Sequence, residues 1–223
     1  MTPGAGPVGT GGDAGTGVRI RAVGAAGVLV EVDDPPAAAL AARQFAGESG
    51  ATLVEVVPGA RSLLLLARDP ADLDRLRPRL HELVGARRPP GAGDTTPEPL
   101  EIPVRYDGAD LHDLAERTGL GEDGVAATHS GSTYRGVFSG FAPGFCYLEG
   151  LPSVLALPRL PEPRQVVPAG SVAIAGCYSA VYPRSTPGGW RLLGRTAVEV
   201  WDPERRPPAL IRPGTAVRFV PER

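Results

Sequence analysis

The sequence predicts an α+β chain of two domains, a split-βαβ domain followed by a small all-β domain. Three observations predict this. Across residues 27–104, runs of strand length alternate with two stretches of helical periodicity in the order strand, helix, strand, strand, helix, strand. From Tyr134 onward, short apolar segments are separated by Pro and Gly, the pattern of a β-barrel or sandwich. The length of 223 residues suits one large or two small domains, and 42% of them are apolar, enough for a sizeable core.

The elements follow in order. Residues 1–17 are Gly-, Thr- and Ala-rich and read as a disordered tail. Val28, Leu29, Val30 and Val32 predict a strand over 27–32. Asp34 and Pro35 then form an N-cap and first helical position, Leu40, Ala41 and Phe45 recur at helical spacing, and Gly47 stops the helix. Residues 52–57 and 62–67 are apolar runs joined by Pro58-Gly59, a hairpin. Asp69-Pro70 opens a second helix with Leu73, Leu76, Leu80, Leu83 and Val84 on one face, a kink expected at Pro78 and a stop at Gly85. Residues 100–104 supply the last strand, completing a ferredoxin-like order. The boundary falls near Tyr106–Gly108, giving domains of 18–107 and 108–223.

In the second domain Asp110 is the expected N-cap of a helix with Leu111, Leu114 and Ala115 inward and Gly119 at its end. A second short helix is expected over 122–128. Strands are expected at 136–141, 171–175, 191–196, 197–201 and 216–220, the last as a closing strand.

Composition excludes several functions. The net charge is −2 with both signs interspersed, which argues against a nucleic-acid binder. No apolar run is long enough to span a membrane, and the N-terminus lacks the pattern of a signal peptide. Cys146 and Cys177 fit neither a metal spacing nor a disulfide framework, so the expected setting is the reducing cytoplasm, with no metal site. All 23 basic residues are Arg. Without lysine there is no Walker lysine, no pyridoxal Schiff base, no biotinylation site and no Ser–Lys dyad, hence no covalent cofactor on this chain.

Three blocks carry chemistry. The densest is residues 138–148, in which Phe141, Pro143, Gly144 and Tyr147 combine rigid or permissive backbone with flat aromatic surface. A packed barrel corner has the same composition. Residues 163–172 contain Arg164, Pro168, Gly170 and Ser171, and residues 182–196 contain Arg184, Pro187, Gly188, Gly189, Trp190 and Arg195. An arginine braced by Pro and Gly can grip a carboxylate or phosphate, each charged hydrogen bond contributing about 1.5–3 kcal/mol. The alternative is an arginine in a surface ion pair worth about 0–1 kcal/mol. His129 stands at the end of the second short helix, as an acid–base group or as a partner of the helix C-terminus.

Together these blocks resemble the allophanate hydrolase subunit 1 family, which includes the B-subunits of 5-oxoprolinase and the kinase inhibitor KipI. The resemblance rests on residues 129–135 (with His129 and Arg135), 140–148, 167–176 and 182–196, in that order, and extends over most of 18–223. It implies an N-terminal ferredoxin-like domain and a C-terminal cyclophilin-like β-barrel. It implies a partner of the allophanate hydrolase subunit 2 type, the C-subunit of 5-oxoprolinase, together with a third component. It also implies a small lactam substrate opened to glutamate at the expense of ATP, with Mg, at the assembled complex. On this basis His129 would position or protonate a substrate oxygen, and Arg164 and Arg195 would stabilise carboxylate or phosphate charge. Tyr147 and Trp190 would wall the pocket, all on one concave surface. Arg135, Arg184 and the Gly/Pro turns would contribute to a ligand or intersubunit surface. The family's frequent Gly-Gln-Thr-Gly-Ile is replaced here by Cys177-Tyr178-Ser179-Ala180-Val181, leaving Tyr178 and Ser179 as the hydrogen-bonding groups, and Glu162 stands where Thr is common. A KipI-like binding module and an allophanate hydrolase or urea carboxylase-type component are the alternatives within the same fold.

Overall fold

The computed structural model describes residues 18–33, 45, 52–85 and 98–222. The chain divides into two compact units between Ala92 and Gly93.

The first unit is a four-stranded antiparallel sheet with a helix. Its strands are β1 (Val18–Val23), β2 (Gly27–Val32), β3 (Leu53–Pro58) and β4 (Ser62–Ala67), in the order β1-β2-β4-β3. The β3–β4 hairpin forms where Pro58-Gly59 predicts it, with the Gly59 N–H bonded to the Ser62 carbonyl at 2.8 Å. Helix α1 (Pro70–Gly85) starts as expected, the Asp69 carboxylate accepting the Ala71 N–H at 2.8 Å. It runs through Pro78. Val28, Val30, Val32, Leu63 and Leu65 from one face of the sheet bury against Leu73, Leu76 and Leu80. Of the helix expected after Asp34, only Phe45 is among the described residues; it is helical and buried. The expected tail, residues 1–17, lies outside them.

Two expectations are corrected here. The alternating Val18-Arg19-Ile20-Arg21-Ala22-Val23 forms β1, a strand that the expected element order does not contain. It occupies the sheet edge beside β2, paired from Val18↔Val32 to Val23↔Gly27 through a short turn with Gly24 at φ 62°. Closing so short a loop costs little entropy, which favours this local partner. The strand expected to complete that sheet, β5 (Leu100–Val104), instead pairs in parallel with β13 (Ala216–Pro221) in the second unit. Pro103 has no N–H to donate and suits the end position that β5 takes in the strand order. The break between units therefore precedes β5 rather than following it near residue 107.

The second unit is a curled seven-stranded sheet. The remaining strands are β6 (Thr133–Ser139), β7 (Cys146–Glu149), β8 (Arg164–Val167), β9 (Ser171–Ala175), β10 (Tyr178–Val181), β11 (Thr186–Gly188) and β12 (Arg191–Arg195). The order is β12-β9-β10-β7-β6-β13-β5, with β8 and β11 as a separate two-stranded ribbon. Just beyond β5, Arg105 exchanges two backbone hydrogen bonds with Arg195 at the end of β12, both 2.9 Å. That bridge joins the two edges into a barrel-like sheet. Strand β13 is therefore an interior strand, antiparallel to β6 and parallel to β5, rather than the closing one. The strand expected over 197–201 reduces to an isolated bridge between Trp201 and Ala209.

Helices α2 (Leu111–Thr118) and α3 (Gly121–Ser130) precede β6, with Gly119 at φ 70° ending the first. Leu111, Leu114, Ala115 and Val125 pack with Leu155, Ile174 and Leu193. Strand alternation sorts the sheet into two faces. Cys146, Leu148, Val172 and Val181 join Tyr134, Val217 and Phe219 in one core. Phe145, Ala173, Ala175, Ala180 and Tyr182 join Val167, Trp190 and Leu192 in another.

Candidate functional site

The loop between β6 and β7 is built to deliver aromatic rings. Its backbone folds on itself, Ala142 N–H to Gly140 carbonyl at 2.8 Å and Phe145 N–H to Ala142 carbonyl at 3.0 Å. Phe141 holds φ 68°, a left-handed conformation that costs a residue with a Cβ about 1–3 kcal/mol, and its side chain is 60% exposed. Gly144 sits at φ 81°, and any Cβ there would lie 2.5 Å from the Cβ of Trp201. Exposed Pro143 stands between them. The result is that Phe145 is buried and Phe141 rides over it edge-on, ring centroids 5.3 Å apart.

Around these two rings the structure assembles a continuous aromatic face. Tyr147 stacks on Phe138 at 4.2 Å, and meets Tyr178 at 5.7 Å and Trp190 at 5.5 Å. Tyr182 meets Phe145 at 5.2 Å and Phe141 at 6.2 Å. The sequence points to Phe141, Tyr147, Tyr178 and Trp190 but not to Phe138, Phe145 and Tyr182. All three stand inside the blocks that carry the resemblance or beside them. Burial raises the Tyr178 phenol to about 12, helped by the neighbouring Cys177, Glu149 and Tyr147. Burial likewise pushes Tyr182 upward. Both phenols are therefore protonated near neutrality and able to donate.

Gly188 makes room for this face. A Cβ on it would lie 2.5 Å from the Tyr182 hydroxyl oxygen. Pro187 precedes it in β11, and the Gly189 carbonyl after it accepts the Leu160 N–H at 2.7 Å. Ser171, Pro168 and Gly170 form the turn into β9, with the Ser171 hydroxyl donating to the Pro168 carbonyl at 2.8 Å and the Gly170 N–H bonded to the Tyr182 carbonyl at 2.8 Å. The Ser171 hydroxyl is thus committed to its own turn.

The arginines separate. Arg164 Nη2 donates to Asp110 Oδ1 at 2.6 Å, and Asp110 Oδ2 accepts the Leu192 N–H at 2.7 Å. Asp110 occupies the N-cap position of α2 but makes no side-chain cap, because its carboxylate is spent on these two distant donors. Buried Arg191 pairs with Asp113 and donates Nε to the Pro158 carbonyl at 3.0 Å. Arg117, together with Arg191, holds the Asp113 carboxyl below the usual carboxylate range. Arg195 pairs with Asp107 at 2.8 Å, shared with Arg105 at 3.1 Å. Arg184 is exposed in the turn between β10 and β11, and half-buried Arg135 lies on β6 opposite Glu149 and Ala216.

His129 is not on the aromatic face. Tyr178 points to that face, so the next residue, Ser179, points to the other, and Ser179 Oγ lies 2.9 Å from His129 Nε2. The imidazole has no solvent exposure, stacks on Phe219 at 4.6 Å, and has Nδ1 2.8 Å from the Tyr106 hydroxyl. Burial lowers it to about 3, so it is neutral. Ser179 also donates to the Ala173 carbonyl at 3.3 Å. Its oxygen therefore accepts from Nε2–H, and Nδ1 accepts from Tyr106. The expected single concave surface holding His129 with the arginines is corrected: His129 and Ser179 belong to the opposite core, with both ring nitrogens engaged. The sequence shows the helix end but not the partners, 23 and 50 residues away.

What remains on one face is a cluster of largely buried rings whose accessible members, exposed Phe141 and half-buried Tyr147 and Tyr178, can meet a small, flat, polar-edged ligand. A family model for the carboxyltransferase domain, subdomain C and D, matches residues 18–211. The chain is 44% identical over 179 residues to the 5-oxoprolinase B-subunit of Escherichia coli O157:H7, covering 77% of this chain and 79% of that one. It is 38% identical over 184 residues to the 5-oxoprolinase B-subunit of Haemophilus influenzae, covering 81% and 84%. The crystal structure of TTHA0988 superposes with a TM-score of 0.69 at 38% identity, covering 89% of this chain but only 40% of that longer one. The fold and the match along most of its length agree: the chain belongs to the family of the carboxyltransferase domain, subdomain C and D.

Proposed function

We propose that the chain is the B-subunit of a heteromeric, ATP-dependent 5-oxoprolinase that opens 5-oxoproline to glutamate and is active only with its partner subunits. The observation that carries this reading is the 44% identity to the Escherichia coli B-subunit over more than three quarters of both chains. The two units then correspond to a ferredoxin-like domain and a cyclophilin-like barrel. The aromatic face suits a five-membered lactam, whose ring can lie flat on exposed Phe141 or half-buried Tyr147 while the phenol of half-buried Tyr178 offers a hydrogen bond to its polar edge.

A lactam is a stabilised amide, and coupling its opening to phosphoryl transfer makes its carbonyl carbon easier to attack. The residues of this face do not themselves fit a triphosphate. The Arg164 guanidinium at its edge is matched by Asp110, leaving little uncompensated positive charge there. The reading therefore puts ATP and Mg at the assembled complex, held by other subunits. The partners are a protein of the allophanate hydrolase subunit 2 type, the C-subunit of 5-oxoprolinase, and a third component, and the assembly works in the cytoplasm. TTHA0988, in which the matching part is two fifths of the chain, is in keeping with a fold that works beside further protein.

Co-expression with both partners tests this. The expected result is 5-oxoproline-dependent ATP hydrolysis with release of glutamate, only when all subunits are present. A stable complex without turnover overturns the reading.

A further inference from the structure

Two side-chain groups of the β8–β11 ribbon are buried without a hydrogen-bond partner: Arg164 Nη1 and Thr186 Oγ1. A buried donor left unpaired is costly, more so when it is charged. Arg164 is also not free to swing its unpaired nitrogen toward water. Its Nη2 is fixed by Asp110, which is itself fixed by the backbone of Leu192, so the planar guanidinium holds Nη1 in a set direction.

Both groups lie toward the aromatic face. Thr186 is paired across the ribbon with Val167, which is buried among the rings, and Arg164 is paired with Gly188, whose Cβ position meets the Tyr182 hydroxyl; directly paired residues share a side of the ribbon. We infer that Arg164 Nη1 and Thr186 Oγ1 form a monocarboxylate-binding subsite at the edge of the aromatic face, with Asp110 as its positioning residue. Two donors match the two oxygens of a carboxylate. Asp110 already offsets the charge of Arg164, so the subsite holds an anion through its two donors rather than through net charge, and each further negative charge on the ligand, as on a phosphate dianion, adds repulsion from the aspartate. Arg164 and Thr186 are each only part-buried as residues, so the subsite lies near the surface.

This subsite rests on the reading of the face as a lactam site, and it gives 5-oxoproline a handle that the bare lactam ring lacks. The test compares 5-oxoproline with pyrrolidinone, the same ring without its carboxylate. Binding of each to the full chain and to the assembled complex is titrated by calorimetry, with thermal melts reporting the fold. The wild-type protein is expected to prefer 5-oxoproline. Arg164→Gln should weaken 5-oxoproline binding about tenfold or more, the loss of one charge-assisted hydrogen bond, and leave pyrrolidinone unchanged. Thr186→Val keeps the Arg164–Asp110 pair and should shift binding in the same direction by a smaller factor. Asp110→Asn should raise KM for 5-oxoproline while kcat stays within about threefold, since it loosens the guanidinium without touching the ring. No preference for the carboxylate in the wild type, or a preference that survives Thr186→Val and Arg164→Gln in folded protein, overturns the subsite. Arg164-dependent carboxylate binding in a complex that turns over no 5-oxoproline supports the subsite while sinking the proposed function.

Discussion

At the scale of single residues, His129 shows how burial decides role. Its hydrogen-bond chain runs from the Tyr106 hydroxyl through the ring to Ser179 and the Ala173 carbonyl, and the Tyr134 hydroxyl donates to the His129 carbonyl at 3.0 Å. The folded ring titrates at about 3 against about 6.5 in an unfolded chain. The unfolded state therefore binds the proton first, and the stability held above pH about 6.5 drains as pH falls toward about 3, by up to ~1.4 kcal/mol per pH unit. Urea unfolding of wild type and His129→Gln across that range should show the wild type losing its advantage as the solution is acidified. His129→Ala leaves Tyr106 and Ser179 without their shared partner and opens a cavity, so a loss of about 2–5 kcal/mol is expected. Turnover per folded molecule in the assembled enzyme should survive, as activity normalised to the folded fraction will show. Gly188 makes the complementary point. Gly188→Ala puts a Cβ against the Tyr182 hydroxyl and should cost about 1–3 kcal/mol, read from the thermal midpoint.

At the scale of elements, the β6–β7 loop and the ribbon do different work. Trp190 is almost fully buried, whereas Phe141 is mostly exposed in a left-handed conformation. Trp190→Ala should destabilise the unit by about 3–5 kcal/mol. Phe141→Ala should change stability by less than about 1 kcal/mol, yet weaken 5-oxoproline turnover or subunit assembly, measured by steady-state kinetics and by co-elution with the partner. Equal effects on stability would mean that the exposed ring has no task beyond packing. Elements are also where the sequence is most legible. The β3–β4 hairpin, the Asp69-Pro70 helix start and the Gly119 stop depend on turn and cap chemistry within a few residues. Asp110 departs from expectation for the converse reason: it looks like a helix cap, but its donors are 54 and 82 residues away.

At the scale of the whole molecule, β5 sets where the second unit begins. Its parallel pairing with β13 and the Arg105–Arg195 bridge beyond it close the curled sheet. A fragment beginning at residue 98 should fold and melt cooperatively by circular dichroism. One beginning at residue 108 should not, since it lacks both the strand and the bridge. Non-cooperative melting of the longer fragment would show that the second unit depends on the first.

The sequence by itself determined the mixed α+β character, the two-part organisation, both helices and the strands β6, β9, β12 and β13 of the barrel unit, and the blocks that carry the family resemblance. All of these follow from periodicity, turn residues and long motifs read along the chain. Only the tertiary structure decided which sheet β5 joins, which of the motif residues share a face, and that His129 lies inside one core while Tyr147, Tyr178 and Trp190 line the other. Strand pairing and side-chain facing depend on partners far away in sequence, and a shift of one residue along a strand sends a side chain to the opposite face.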